Sequence, residues 1–110
     1  MEIKELLEFI EIEDKRLKEK YEKDSENKKT VLLRTIKLSE EIGELCSEIL
    51  AFNSIQRKQK LEKFKLEKLE EEFADVIITS LLLGKSLNID FEKSIKKSIE
   101  KVNKRYKPKN

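Results

Sequence analysis

Histidine and tryptophan are absent from the 110 residues, and there is one cysteine, Cys46. Without histidine the Glu-x-x-His ligand sets of di-iron helical bundles are excluded, and one cysteine makes neither a structural zinc site nor an internal disulfide. Cys46 itself reads as a small core residue on an apolar helical face. Turn-forming residues are nearly as scarce: two glycines and one proline leave little to interrupt long helices. No segment alternates in the manner of a strand. Long hydrophobic runs are missing too, since VIITSLLL, Val76 to Leu83, is far short of a membrane span. The first residues, MEIKELLEFI, are acidic where a secretion signal is basic. A soluble, cytoplasmic protein with no membrane partner is expected.

What the chain has in abundance is charge, 44% of its residues against 37% hydrophobic. The net charge of +2 is too small to argue for nucleic acid, and the basic end of the chain lacks interleaved aromatics, so no nucleic-acid partner is expected. The signs are unevenly spread. Met1 to Glu26 holds ten acidic and six basic residues, whereas Lys93 to Asn110 holds eight basic residues against Glu100 alone. The length fits a single domain over residues 1–110, small enough that most helices are covered on one side only unless the chain associates with itself. A homodimer or homotetramer is favoured over a monomer.

Helical spacing organises the whole chain. Ile3, Leu6, Ile10, Leu17 and Tyr21 predict a first helix that runs into the polar cluster KDSENK, Lys23 to Lys28. Leu38, Ile42, Leu45 and Ile49 predict a second helix from about Lys29 to Phe52. A third helix is expected from near Gln59 to between Gly84 and Leu87, with the Lys/Glu-rich stretch from Lys58 to Glu72 as a solvated face. LNIDFEKS supplies the last break, Asp90 is the expected N-cap, and a fourth helix should reach Tyr106. The fold class is therefore all-α, a four-helix, bundle-like arrangement.

Two pairs of acids stand out. On the second helix Glu41 lies at the edge of the apolar stripe and Glu44 about 60° beyond it, so both side chains can converge beside the core. On the third, EEEFADVIITSLLLG repeats the arrangement with Glu72 and Asp75. The residues after Asp75 point in almost every direction around the axis, which marks a segment covered on all sides by its own domain and a second subunit. A carboxylate there needs a compensating cation or hydrogen bonds. Taken one helix at a time, such glutamates also read as ordinary surface residues. An antiparallel hairpin turning between Phe52 and Lys60 would gather all four carboxylates, and their repulsion calls for a divalent cation. With oxygen ligands only, Mg²⁺ or Mn²⁺ is expected, working alongside substrate phosphates. Lys101, Lys104 and Arg105 in EKVNKRYKPK form a basic cluster able to hold phosphate oxygens, and equally read as a solvated tail.

KLSEEIGELCSEI (Lys37 to Ile49), followed by LEEEFADVIITSLLLGKSLNIDFEKSIKKSIEKVNKRY (Leu69 to Tyr106), resembles the MazG-type all-α nucleoside triphosphate pyrophosphohydrolases. Glu41 and Glu44 match the first half of the family's E-x-x-E, spacer, E-x-x-D signature, and Glu72 and Asp75 the second, with 27 residues between Glu44 and Glu72. The resemblance covers roughly Lys29 to Tyr106. It implies a four-helix fold that dimerises or forms tetramers through its helices. It also implies Mg²⁺-dependent cleavage of a nucleoside triphosphate between the α and β phosphates, to a monophosphate and pyrophosphate, in nucleotide house-cleaning. By that resemblance Glu41, Glu44, Glu72 and Asp75 are metal ligands; Glu41, nearest the apolar stripe, is the choice for a carboxylate that also orients or deprotonates the attacking water. Lys101 and Arg105, with the neighbouring Lys104, hold phosphates, and base stacking falls to Tyr21, Phe52 or another ring. A phosphoribosyl-ATP pyrophosphohydrolase shares this kind of helical carboxylate site. A non-catalytic helical interaction module, its acids spent in surface salt bridges, is the alternative of another class.

Overall fold

A computed structural model describes residues 1–23, 26–52 and 66–108. These residues form four α-helices and no strand: α1 (Ile3–Lys20), α2 (Asn27–Phe52), α3 (Leu66–Ser86) and α4 (Phe91–Lys104). The all-α expectation is met, with shifted boundaries. The polar cluster after α1 is shorter as a connection than its composition implies, because α2 starts inside it at Asn27 and the Thr30 N–H already donates to the Glu26 carbonyl at 3.1 Å. The expected start of the third helix near Gln59 lies outside the described residues.

The break between α3 and α4 is closed by local chemistry. Asn88 takes the left-handed conformation at φ 57°. The Asn88 N–H then donates to Lys85 and the Ile89 N–H to Gly84, at 3.1 and 3.0 Å, a Schellman closure that occupies carbonyls left over at the helix end. Asp90 is the N-cap of α4, its Oδ1 accepting from the Lys93 N–H at 3.1 Å. The helix ends at Lys104, two residues before Tyr106, with Arg105 as its C-cap.

α2 and α3 run antiparallel. Near the start of α2, Arg34 donates from Nη1 to the Leu82 carbonyl at 2.9 Å, and seven residues further on Glu41 meets Asp75, seven residues back along α3. The buried seam of α2 passes through Thr30, Arg34 and Glu41, with Leu38 and Leu45 half-buried beside it. Ile42 and Ile49, expected inside, are 45% and 41% exposed, and Cys46 is exposed rather than core. The seam is thus turned by about 50° from the apolar stripe, at 100° per residue, so that Glu41 lies at its middle instead of its edge. Coverage of α3 is one-sided within the chain: Leu82 is buried, Val76, Ile78, Leu81 and Leu83 are half-buried, and Ile77 is exposed.

Charge holds the seam together. Arg34, 4% exposed, donates from Nη1 to Asp14 on α1 at 2.7 Å and from Nη2 to Glu22, after α1, at 3.1 Å, with Nε a further 3.5 Å from Glu22. Lys18 adds a 3.0 Å pair to the other oxygen of Asp14. Glu22 is brought there by the end of α1, where the Tyr21 and Glu22 N–H groups both donate to the Leu17 carbonyl. One guanidinium thereby ties α1, α2 and α3. Burial pushes the Asp14 carboxyl up, but the hydrogen bonds from Arg34 and Lys18 outweigh it and hold the group below the ordinary aspartate value.

A carboxyl held low in the folded state contributes stability above its unfolded pKa of about 3.9 and loses that contribution as pH falls through its lower folded value. Denaturant unfolding should therefore show stability declining on acidification below about pH 4, with the Asp14 component missing from Asp14→Asn. Arg34→Met strands two buried acids and should cost about 3–5 kcal/mol in the same measurement.

Candidate active site

The helical period sets Glu41 and Glu44 one turn apart on α2, and Glu72 and Asp75 one turn apart on α3; the antiparallel register then brings the pairs face to face. Glu41, Glu72 and Asp75 each offer a carboxylate oxygen within 4.8 Å of the others. Glu41 and Glu72 are 7% and 3% exposed, and Asp75 is half-buried. Glu44 stands exposed at the rim, close enough to Glu41 and Glu72 for their charges to raise its carboxyl, so the four signature acids share one end of the seam.

Lysines meet this cluster from the solvent side. Lys37 Nζ lies 3.2 Å from Glu41 Oε1 and 3.6 Å from Glu40, and Lys68 Nζ lies 2.8 Å from Glu72 Oε1. Each glutamate is left with one oxygen, Glu41 Oε2 and Glu72 Oε2, that is buried without a hydrogen-bond partner. A buried polar atom in that condition is costly, and two such oxygens in one acidic cluster favour positive charge beside them. Surface salt bridges alone leave those two oxygens unanswered. The all-oxygen donor set fits a hard divalent cation such as Mg²⁺ or Mn²⁺.

The strain is visible in the protonation preferences. Burial, followed by the charges of Glu41, Glu72 and Glu71, pushes the Asp75 carboxyl above its ordinary value. Glu44 is raised by its hydrogen bond with Glu72 and then by the charges of Glu41 and Glu72. The Lys68 hydrogen bond prevails over burial at Glu72 and holds that carboxyl low, while Lys37 and Lys68 are themselves raised by Glu41 and Glu72.

From this cluster a cavity of about 630 Å³ extends between α1, α2 and α3. Glu41, Asp75 and Lys37 line one end, and Tyr21, Glu22 and Arg34 the other. Leu33, Ile78 and Leu82 supply apolar wall, with Thr79 the hydroxyl among them. Of the two rings expected to stack a base, Tyr21 is on the cavity; Phe52, 52% exposed on the last turn of α2, does not line it. Lys101, Lys104 and Arg105 are exposed at the end of α4, where with Lys97 and Glu100 they line a separate open hollow. Within one chain they do not border the cavity of the acids.

Sequence reasoning missed Arg34, Glu22 and Lys37. Lys37 carried a local signal, one turn before Glu41. Arg34 carried a weaker one, a cation in the otherwise apolar VLLRTI on the same face as Glu41, and Glu22 carried none.

The MazG-like family model matches residues 34–110, and the chain belongs to that family. No curated protein matches the chain, and neither does any solved structure.

If the acids hold a cation, Mg²⁺ at about a hundred times its Kd should stabilise the protein by about 2.7 kcal/mol. Asp75→Asn should abolish that increment while raising the melting temperature of the metal-free protein, because it relieves a charge the site disfavours. Thermal melts with Mg²⁺ and with EDTA read both effects.

Proposed function

We propose that this MazG-like protein hydrolyses a nucleoside triphosphate between its α and β phosphates, releasing a monophosphate and pyrophosphate, as a cytoplasmic house-cleaning enzyme. The observation that carries the reading is the pair of buried carboxylate oxygens of Glu41 and Glu72, without a hydrogen-bond partner among the described residues, in the acid cluster whose Glu41 and Asp75 line a cavity of nucleoside size. Glu41, Glu44, Glu72 and Asp75 would hold one or more Mg²⁺ or Mn²⁺ ions. The bound cation supplies positive charge that polarises phosphate oxygens and acidifies water.

The chain's own groups do the rest. Glu41 is paired with Lys37 through Oε1, which leaves the buried, unpartnered Oε2 as the atom to accept a proton from the attacking water. Lys37 lines the cavity beside it and offers its ammonium to the charge that grows on the departing pyrophosphate. Tyr21 and the apolar walls take the base and exclude water. Lys101, Lys104 and Arg105 are assigned to phosphates as well, and a homo-oligomer is the arrangement that serves them.

The assembly is supported by what one chain leaves uncovered. Ile36, Ile42, Ile49, Phe73 and Ile77 are exposed on α2 and α3, and α4 has no buried residue although Ile95, Ile99 and Val102 share one of its faces. Among the described residues nothing comes within 4 Å of the place where a Cβ on Gly43 would stand, although a glycine in mid-helix costs about 1 kcal/mol. In a dimer or tetramer these faces cover one another, and α4 of one copy can carry its basic end to the acids of another.

Incubation with a panel of nucleotides and Mg²⁺, followed by phosphorus NMR, should show pyrophosphate; orthophosphate would indicate a different reaction. The panel also separates a phosphoribosyl-ATP hydrolase from one acting on simple triphosphates. Glu41→Gln and Asp75→Asn should each lower turnover by about a hundredfold or more with helical circular dichroism unchanged. Full activity in both variants refutes the site.

A further inference from the structure

The end of the cavity away from the acids is lined by carboxylate acceptors, and four of the five N–H groups of the neighbouring Arg34 are already committed. Glu22 is 8% exposed and lines the cavity, with its two oxygens held by Nη2 and Nε of Arg34. The Nη1 of Arg34 is committed to Asp14 and to the Leu82 carbonyl. A carboxylate has about four lone-pair sites and no proton, so Glu22 keeps accepting capacity while offering nothing to an incoming acceptor. Glu13, half-buried on α1 and paired only loosely with Arg16 at 3.6 Å, adds a second acceptor-only group to the same wall. Tyr21 and Thr79 contribute hydroxyls, which adapt to either role.

The distance to the acids suits a nucleotide. Arg34 and Glu41 are seven residues apart on α2, about 10 Å along the axis. A triphosphate anchored at Glu41 and Asp75 therefore lays its base beside Tyr21, Glu22 and the leucine walls. The geometry points to selection of a nucleobase that carries an exocyclic amino group, with Glu22 as the residue that reads it. An amino group directs an N–H at the carboxylate. A base with a carbonyl in that place directs an oxygen at it, which sets two acceptors against each other at a carboxylate that is itself only 8% exposed. The rigid hold of Arg34 on Glu22 makes the discrimination effective, because the carboxylate cannot swing away from the wrong base.

This inference rests on the nucleotide reading of the cavity, and its test separates the two. CTP and UTP differ at the base edge in having a 4-amino group or a 4-oxo group, so the unaltered protein with Mg²⁺ supplies the comparison. The expected result is a kcat/KM for CTP about tenfold or more above that for UTP, falling towards equality in Glu22→Gln, whose amide donates as well as accepts. Equal values for the two substrates in the unaltered protein overturn base selection even if Glu22→Gln fails to fold. If neither triphosphate is cleaved, the hydrolase reading falls, and calorimetric binding of cytidine and uridine 5′-monophosphates decides the pocket by itself: tighter binding of the cytidine nucleotide upholds it and equal binding overturns it.

Discussion

A single buried guanidinium sets the relation among three helices. Arg34 reaches α1 through Asp14, the end of α1 through Glu22 and α3 through the Leu82 carbonyl. Burying three charges has a large desolvation penalty, and such a cluster is weak as a source of net stability compared with apolar packing. What it supplies is definition. The described residues bury few hydrophobic side chains, among them Ile10, Ala51 and Leu82, so apolar packing within one copy leaves the rotation of α2 loosely determined. The directional bonds of Arg34 fix that rotation, and with it the face of α2 that meets α3.

That rotation places the acids. Arg34 and Glu41 lie on one face of α2, and Leu82 and Asp75 on one face of α3, separated by the same number of residues in opposite directions. Once Arg34 is bonded to Leu82, the antiparallel register brings Glu41 to Asp75 and Glu44 to Glu72. The satisfied cluster and the unsatisfied one are therefore two ends of one seam. At the first, cations and anions balance within the chain. At the second, Lys37 and Lys68 each pair with one oxygen of Glu41 and Glu72, and the other oxygen of each is buried without a hydrogen-bond partner among the described residues. A stiff, self-contained anchor at one end of the groove holds the unsatisfied end in register.

Much of this was legible in the chain, for reasons that differ from residue to residue. The acid pairs were visible because helical periodicity is local, and three-residue spacing on each of two helices is enough to suggest a meeting. The Asp90 cap was visible because its partner, the Lys93 N–H, is three residues away. Arg34 was hidden by the composition: with 44% of the chain charged, no single arginine draws notice, and its partners lie 12 to 48 residues away. The rotation of α2 was hidden because hydrophobic periodicity reports which side chains avoid water in the finished assembly. It does not say which neighbour covers them. Ile42 and Ile49 follow the helical pattern faithfully and are still exposed in one copy.

The same distinction explains why the buried seam of α2 is largely polar while its apolar residues lie on the flank. A domain built to stand alone puts its hydrophobic stripe inward and its charges out. Here the seam of α2 carries Thr30, Arg34 and Glu41, and the stripe is displaced to the flank. A helix has room for both only if two surfaces receive it: one within the chain, where a polar cavity is wanted, and one beyond it, where apolar area can be buried. Association through the flank would then supply the hydrophobic stabilisation that a charged groove cannot, and would leave the groove free to keep its two uncompensated oxygens.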